Sequence, residues 1–413
     1  MIAEPPVPTR SRDWTPVLAG LHADLMDCIQ VNLAAFADRA HGAGTHLALG
    51  ALLRFDTVPG PGGVPIVGAT VEQRLAEAAD LLAVRVDQRF DDVTGARLRE
   101  ISAGSAPLFV VADAYTMSWV PYAGHQHMEH SFLLLAADGP VLVGDGYHNA
   151  TPWGDIRPGV WRLPAAGFDD AVPRATAMTL TAAAPPVLDR AAVLAENAVA
   201  MNAATGRIDR YLAALHEHRE EPETAARLVL DVWLLGRSRA LHAAWLGTYP
   251  EVDAAGQASA QAESWSALAA QSYVAMRRAS RGGAFPAAVL DRLGELLHED
   301  VALARRLAGG AGGDPAAGTP AGAGSTGDPD GTRAVLVEEL AAVLGLGAGL
   351  LDGRPSLRSL PGFNSFRLVE VIERVEARLR VTLDPDELTG AALHDLDTLT
   401  VLFDRARSAV AQP

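Results

Sequence analysis

The apolar positions divide the chain into stretches with different periods. Three short apolar runs bounded by turn residues read as buried strands: Pro107–Tyr115 (PLFVVADAY), His130–Ala137 (HSFLLLAA) and Pro140–Tyr147 (PVLVGDGY). Asp138–Gly139 separates the last two and is a strong hairpin signal. Ile29, Leu33, Phe36 and Ala40 recur at helical spacing, which starts a helix near Cys28. From about Pro186 to Leu307 the pattern is helical, with Thr224–Leu246 the most hydrophobic helix and Trp233, Trp245 and Trp265 at expected core positions. Ala308–Gly331 is Gly, Ala, Pro, Ser and Thr with nothing to pack, and reads as a flexible tether spanning roughly 25–30 Å as a coil. Beyond it the pattern predicts a helix near Arg333–Leu344, a second carrying the stripe Leu368, Ile372, Val375 and Leu379, a short element at Leu383–Leu388 and a last helix at Asp395–Ala406. That is a small bundle of three to four helices. Glu370 and Glu373 fall off the stripe, facing water or a partner, while Glu370–Arg374 and Glu376–Arg380 are i,i+4 pairs in the favourable order.

The chain has 413 residues, enough for two to three domains with their own cores. Apolar content of 49 % and charged content of 20 % are those of a globular protein. The net charge of −16 argues against nucleic-acid binding through phosphate contacts. No run approaches about 18 apolar residues, so no membrane span is expected. The opening MIAEPPVPTRSRDW has no apolar core of a signal peptide, and a cytoplasmic location is the expectation. All 34 basic residues are Arg. The absence of lysine excludes P-loop and pyridoxal-phosphate Schiff-base chemistry, each of which needs one. The single cysteine, Cys28, excludes an intrachain disulfide and a Cys-based zinc site. Most free cysteines are buried small hydrophobes, which is the plainest account of Cys28.

Ser365 stands at the mouth of a helix in PGFNSFRLVEVIERVE (Pro361–Glu376). A serine there is either a cap or a group displayed for modification. The tail resembles acyl and peptidyl carrier proteins, in which a Gly-x-Asp-Ser motif opens the second helix and the Ser carries 4′-phosphopantetheine. Here the motif is Gly362-Phe363-Asn364-Ser365, with Asn in place of the Asp, and Phe366, Leu368, Glu370, Glu373 and the downstream LTGAALHDLDTL also fit. The resemblance covers most of Arg333–Arg407 and implies covalent 4′-phosphopantetheine on Ser365. It also implies a phosphopantetheinyl transferase and an acyl- or aminoacyl-loading ligase as partners.

A thioester carrier needs an enzyme that acts on it, and a cysteine thiolate attacks a thioester by exchange. Such a cysteine needs a His to activate it and a third group to hold the His. Cys28 near a helix start gains from the helix dipole and from N–H groups that can serve an oxyanion. His130 begins a predicted strand and Asp145 ends the next, so the hairpin can bring them together. His125, His127 and His130 are also candidates for a cation site if Glu129 or Asp145 converges on them, although the spacing is not that of a helical zinc motif.

The arrangement resembles papain-like cysteine enzymes, and more narrowly the N-terminal domain of the butirosin-biosynthesis acyltransferase family. The matching pieces are Cys28 with Asn32 and Leu33, Gly50 in LALGALLRF, Asp113 and Tyr115 with Pro121–Tyr122, His130 and Asp145, and GRSRALHAAWL in the following helical segment. The resemblance implies Cys28 as nucleophile, His130 as base and Asp145 as the orienting group. Papain-like enzymes often carry a Gln shortly before the Cys; His22 occupies that region here and is a candidate oxyanion contact beside the Cys28 N–H. Tyr115 is a candidate substrate contact. Arg237 and Arg239, with His242 on the same helix, are candidates to hold a carboxylate or phosphate, or are structural ion pairs.

The expectation is therefore an α+β chain: a papain-like domain over 14–170, an all-helical domain over 171–307, a linker over 308–331 and a carrier bundle over 332–408. The expected function is transfer of an acyl or aminoacyl group from a phosphopantetheine thioester through Cys28 to a small-molecule acceptor, an amine. A thioesterase or amidase with the same triad and a non-catalytic docking scaffold are the alternatives.

Overall fold

The computed structural model describes residues 14–103, 107–137, 139–250, 252–281, 285–309, 329–347, 351, 357, 360, 365–384, 387–388 and 395–410. The linker residues 310–328, Gly362–Asn364 before Ser365, and Asp138 of the hairpin turn lie outside them. In chain order the elements are α1 (Thr15–Ala19), α2 (Cys28–His41), β1 (Thr57–Pro59), β2 (Pro65–Val67), α3 (Val71–Leu81), β3 (Val84–Val93), α4 (Gly95–Ser102), β4 (Leu108–Asp113), β5 (Glu129–Ala136), β6 (Val141–Asp145) and β7 (Asn149–Thr151). They continue with β8 (Gly154–Ile156), β9 (Gly159–Leu163), α5 (Ala165–Ala171), β10 (Ala175–Ala182), α6 (Arg190–Glu217), α7 (Pro222–Leu246), α8 (Val252–Ala279), α9 (Ala287–Gly309), α10 (Pro329–Leu344), α11 (Ser365–Leu379) and α12 (Leu396–Val410). The chain is α+β and forms two compact units. The first is Met1–Leu52, Ala69–Asp189 and Ala244–Tyr249; the second is Leu53–Gly68, Arg190–Ala243 and Pro250–Pro413.

The first unit is built on an antiparallel six-stranded sheet in the order β3-β10-β4-β5-β6-β9. The three expected strands are its central β4, β5 and β6. The first unit runs past residue 170 because β10 inserts between β3 and β4. The β5–β6 hairpin sets Leu134 opposite Val143 and Leu133 opposite Gly144. Helix α2 starts at Cys28 because Asp27 caps it: the carboxylate accepts the N–H of Ile29 at 3.0 Å and of Gln30 at 2.8 Å, and Gln30 Oε1 accepts the Asp27 N–H. The helix starts at Cys28 as expected and is buried almost all round, with Ala34, Ala35 and Ala37 admitting close neighbours; Phe36 is half-buried and Ala40 exposed.

The second unit holds α6, α7 as far as Ala243, α8, α9, the hairpin β1–β2 and the C-terminal helices. One core gathers Phe55, Tyr211, Val232 and Trp265 with Leu290, Leu293, Leu296 and Leu297 of α9. Another gathers Leu336 and Leu340 of α10, Leu368, Ile372 and Val375 of α11, and Leu399 and Phe403 of α12. Ala270 and Val274 of α8 belong to this second core, so the C-terminal bundle is packed on α8. Trp245 and Trp265 are buried as expected, while Trp233 is half-buried under the Arg237 guanidinium, 4.0 Å from its ring centre. The Glu370–Arg374 pair forms at 2.6 Å. Glu376 turns instead to Arg278 at 2.7 Å, because Arg380 takes a left-handed conformation (φ 55°) where the helix ends.

Candidate active site

The site is built where the start of α2 meets β5 and β6. Cys28 is the first residue of α2 and only 9 % exposed. Its Sγ–H donates to the Glu129 carbonyl at 3.6 Å, and its own carbonyl accepts from Ser131 Oγ at 2.6 Å and Asn32 Nδ2 at 3.3 Å. Of the first four N–H groups of the helix, Asp27 takes those of Ile29, Gln30 and Val31, leaving that of Cys28. The Asp27 carboxylate would place an opposing charge beside the cysteine. Arg74 of α3 meets it at 2.8 Å and is bound in turn by Glu77. Burial disfavours the Arg74 charge, but Asp27 and Glu77 raise its pKa above the ordinary value.

His130 and Asp145 are both fully buried, and His130 Nε2–H donates to Asp145 Oδ2 at 2.7 Å. The other ring nitrogen, Nδ1, is buried and has no hydrogen bond of ordinary geometry. Burial pulls the His130 pKa down; the Asp145 charge and hydrogen bond, and then Cys28, outweigh it and carry it to about 10. Cys28 is thus close enough to the imidazole to favour its charged form. The Tyr147 ring packs edge-on against the imidazole, 5.3 Å between centres, and the Tyr147 N–H donates to Asp145 Oδ1 at 2.9 Å.

Asn32, one turn after Cys28, ties the three elements together. Its Nδ2 donates to the Ser131 carbonyl at 2.8 Å and its Oδ1 accepts the Gly146 N–H at 2.9 Å. The relative placement of helix, His130 strand and Asp145 strand is thus fixed by buried hydrogen bonds, each costly to leave unmade. Nothing in the sequence near Asn32 points to Ser131 or Gly146 as its partners. The Asp27 cap was readable as Asp-x-x-Gln, the spacing of a capping box; Arg74 carries no local signal.

The remaining candidates disperse. His22 is exposed; its backbone N–H donates to His46 Nε2, which makes that nitrogen the acceptor of His22 Nδ1–H at 2.9 Å. His46, fully buried, donates from Nδ1 to Asp38 at 2.7 Å. This is a second buried His–Asp pair that sequence reading missed. Tyr115 stacks on His127 with ring centres 4.1 Å apart, and His127 Nδ1 bonds Asp113 at 2.6 Å. His125 stacks on Trp153. The three histidines of the cation alternative thus go separate ways, and no group of three His, Cys, Asp or Glu suited to a metal occurs among the described residues. An open cavity of about 700 Å³ at the ends of β3, β10, β4 and β5 is lined by Asp113, His127, Glu129 and Arg174, without Cys28 or His130.

Arg237 and Arg239 belong to the second unit. Arg239 is a buried structural ion pair: Nε donates to Asp300 at 2.7 Å and Nη1 to the Arg54 carbonyl at 3.1 Å. Ser365 is the first residue of α11.

No protein-family model matches the chain, and no curated protein matches it significantly. No helix among the described residues is long and apolar enough to cross a membrane.

Proposed function

We propose that the chain is a carrier-linked cysteine acyltransferase with a papain-like catalytic domain. The observation that carries this reading is the buried His130, held at Nε2 by Asp145, with a free Nδ1 and a pKa raised partly by Cys28. That is the relation a thiolate–imidazolium pair requires.

Cys28 Sγ attacks the carbonyl carbon of an acyl thioester. The Cys28 N–H, the one first-turn donor Asp27 leaves, steadies the oxyanion. The thioester C–S bond breaks, and the departing thiolate takes the proton from His130. An amine then attacks the Cys28 acyl group, its proton passes to His130, and the acyl C–S bond breaks. The thiolate and imidazolium are restored together. Asp145 holds the ring throughout and favours its charged form.

The C-terminal bundle is read as the carrier. The first residue of a helix, where backbone N–H groups favour a phosphate, suits the attachment of a phosphodiester at Ser365. 4′-Phosphopantetheine there would supply the thiol that presents the acyl group. A phosphopantetheinyl transferase, a loading ligase and a small-molecule amine are the partners.

The test is intact mass after incubation with a broad phosphopantetheinyl transferase and coenzyme A. Wild type should gain one pantetheine adduct and Ser365→Ala none. No adduct, under conditions that modify a control carrier, returns Ser365 to a helix cap. Loaded protein should then acylate an added amine in a Cys28-dependent way. Release of free acid alone would point to a thioesterase, and full activity in Cys28→Ala to a scaffold.

A further inference from the structure

Helix α8 is used on two faces. Trp265, Leu268 and Ala275 enter the core of the α6–α9 helices. Ala270 and Val274 enter the core of the C-terminal bundle. Arg277 and Arg278 continue this second line at helical spacing, and Arg281 follows just past the end of the helix. All three meet α11: Glu373 accepts from Arg277 Nη2 at 3.0 Å and Arg281 Nη2 at 2.7 Å, and Glu376 accepts from Arg278 Nη2 at 2.7 Å. Arg278 also donates to the Leu383 carbonyl at 3.0 Å. The side chains of Glu373 and Glu376 are only 16 % and 14 % exposed, so this acidic strip of α11 is covered by the arginines. Partial burial works against the Glu373 charge, but the two arginines hold its carboxyl below the ordinary value.

Glu373 lies eight residues beyond Ser365, about 12 Å along the helix. An ordinary protein interface covers about 800 Å² on each partner, a patch roughly 30 Å across. A protein that docks on the bundle to act at Ser365 therefore overlaps the strip already held by α8. The contact is also one that ions weaken, since its charges are half-exposed on the arginine side.

We propose that Arg277, Arg278 and Arg281 form an electrostatic latch that parks the C-terminal bundle on α8 and covers the approach to Ser365. An enzyme modifying or loading Ser365 must open the latch. The inference rests on the carrier reading of the bundle, and its test separates the two.

The experiment compares wild type, Arg277→Glu/Arg281→Glu, and that variant with Glu373→Arg added. Two quantities are read on the full chain: hydrogen exchange of the α11 amides, and the rate of pantetheine transfer from coenzyme A to Ser365. The double variant should exchange faster in α11 and be modified about fivefold to tenfold faster, the scale of a few half-exposed ion pairs. The triple variant should return both to wild-type values, and about 1 M salt should bring wild type toward the double variant. Equal exchange and equal modification rates in all three proteins overturn the latch alone. No adduct on any of them, with a control carrier modified, overturns the carrier reading on which the latch rests.

Discussion

Replacing Asp145 by Asn keeps the side chain's shape and removes its charge. The Asn oxygen still accepts the Tyr147 N–H, but an amide NH₂ now meets His130 Nε2 where Asp145 Oδ2 stood at 2.7 Å. Nε2 must then be an acceptor, which sends the remaining ring proton to Nδ1. The imidazole can no longer take the thiol's proton. The gap between the ordinary 6.5 and about 10 for His130 corresponds to about 5 kcal/mol in favour of the imidazolium. Without the carboxylate only Cys28 opposes burial, and the ring loses the main support of its charge. A positioned side-chain base that takes the attacking group's proton is worth about a hundredfold, so losing it slows the chemistry of Cys28 by about that factor. We predict that decrease in the rate at which iodoacetamide alkylates Cys28, followed by intact mass with circular dichroism confirming the fold. No substrate is needed, and Cys28 is the only thiol. Alkylation of a folded Asp145→Asn within about threefold of wild type would refute the triad.

Three further outcomes follow from the same geometry. The folded-state pKa of His130 lies above its unfolded value, so its contribution to stability is complete below about pH 6.5 and is lost as pH rises through about 10. Urea midpoints should fall across that window in wild type and much less in Asp145→Asn. Asn32→Ala strands the buried Ser131 carbonyl and Gly146 N–H, and should cost about 2–4 kcal/mol in urea unfolding; a cost below about 1 kcal/mol would show that the three elements do not depend on it. Arg239→Met leaves Asp300 buried with only Trp265 and Gln261 as donors, and should destabilise the second unit by about 3–5 kcal/mol. Retained thermal stability there would contradict a structural role for Arg239.

What could be read from the sequence followed the range of the forces involved. β4, β5 and β6 are short apolar runs buried on both faces, and the stripe of α11 is a regular period, so both announce themselves locally. β3 did not, because VRVDQRFDDV is an exposed edge strand with little apolar signal. β10 did not, because ATAMTLTA is weakly apolar and takes its place only by pairing with strands some 70–90 residues away. Cys28, His130 and Asp145 were legible as residue types on expected elements, and the hairpin supplied the contact between the last two. The supports of the site were not. Arg74 on Asp27, Asn32 on Gly146 and His46 on Asp38 are long-range or cross-element pairings that no local pattern encodes. The same holds for Glu373, which periodicity leaves facing outward and α8 covers.

The most direct test of the central claim is to trap the acyl group. Wild type is mixed with an acyl thioester of pantetheine in the absence of an amine, quenched in acid, and mapped by peptide mass. The account predicts a hydroxylamine-labile acyl adduct on the peptide containing Cys28, lost in Cys28→Ser and much reduced in His130→Ala. A wild-type enzyme that transfers acyl groups to an amine while no adduct ever appears on Cys28 would contradict it.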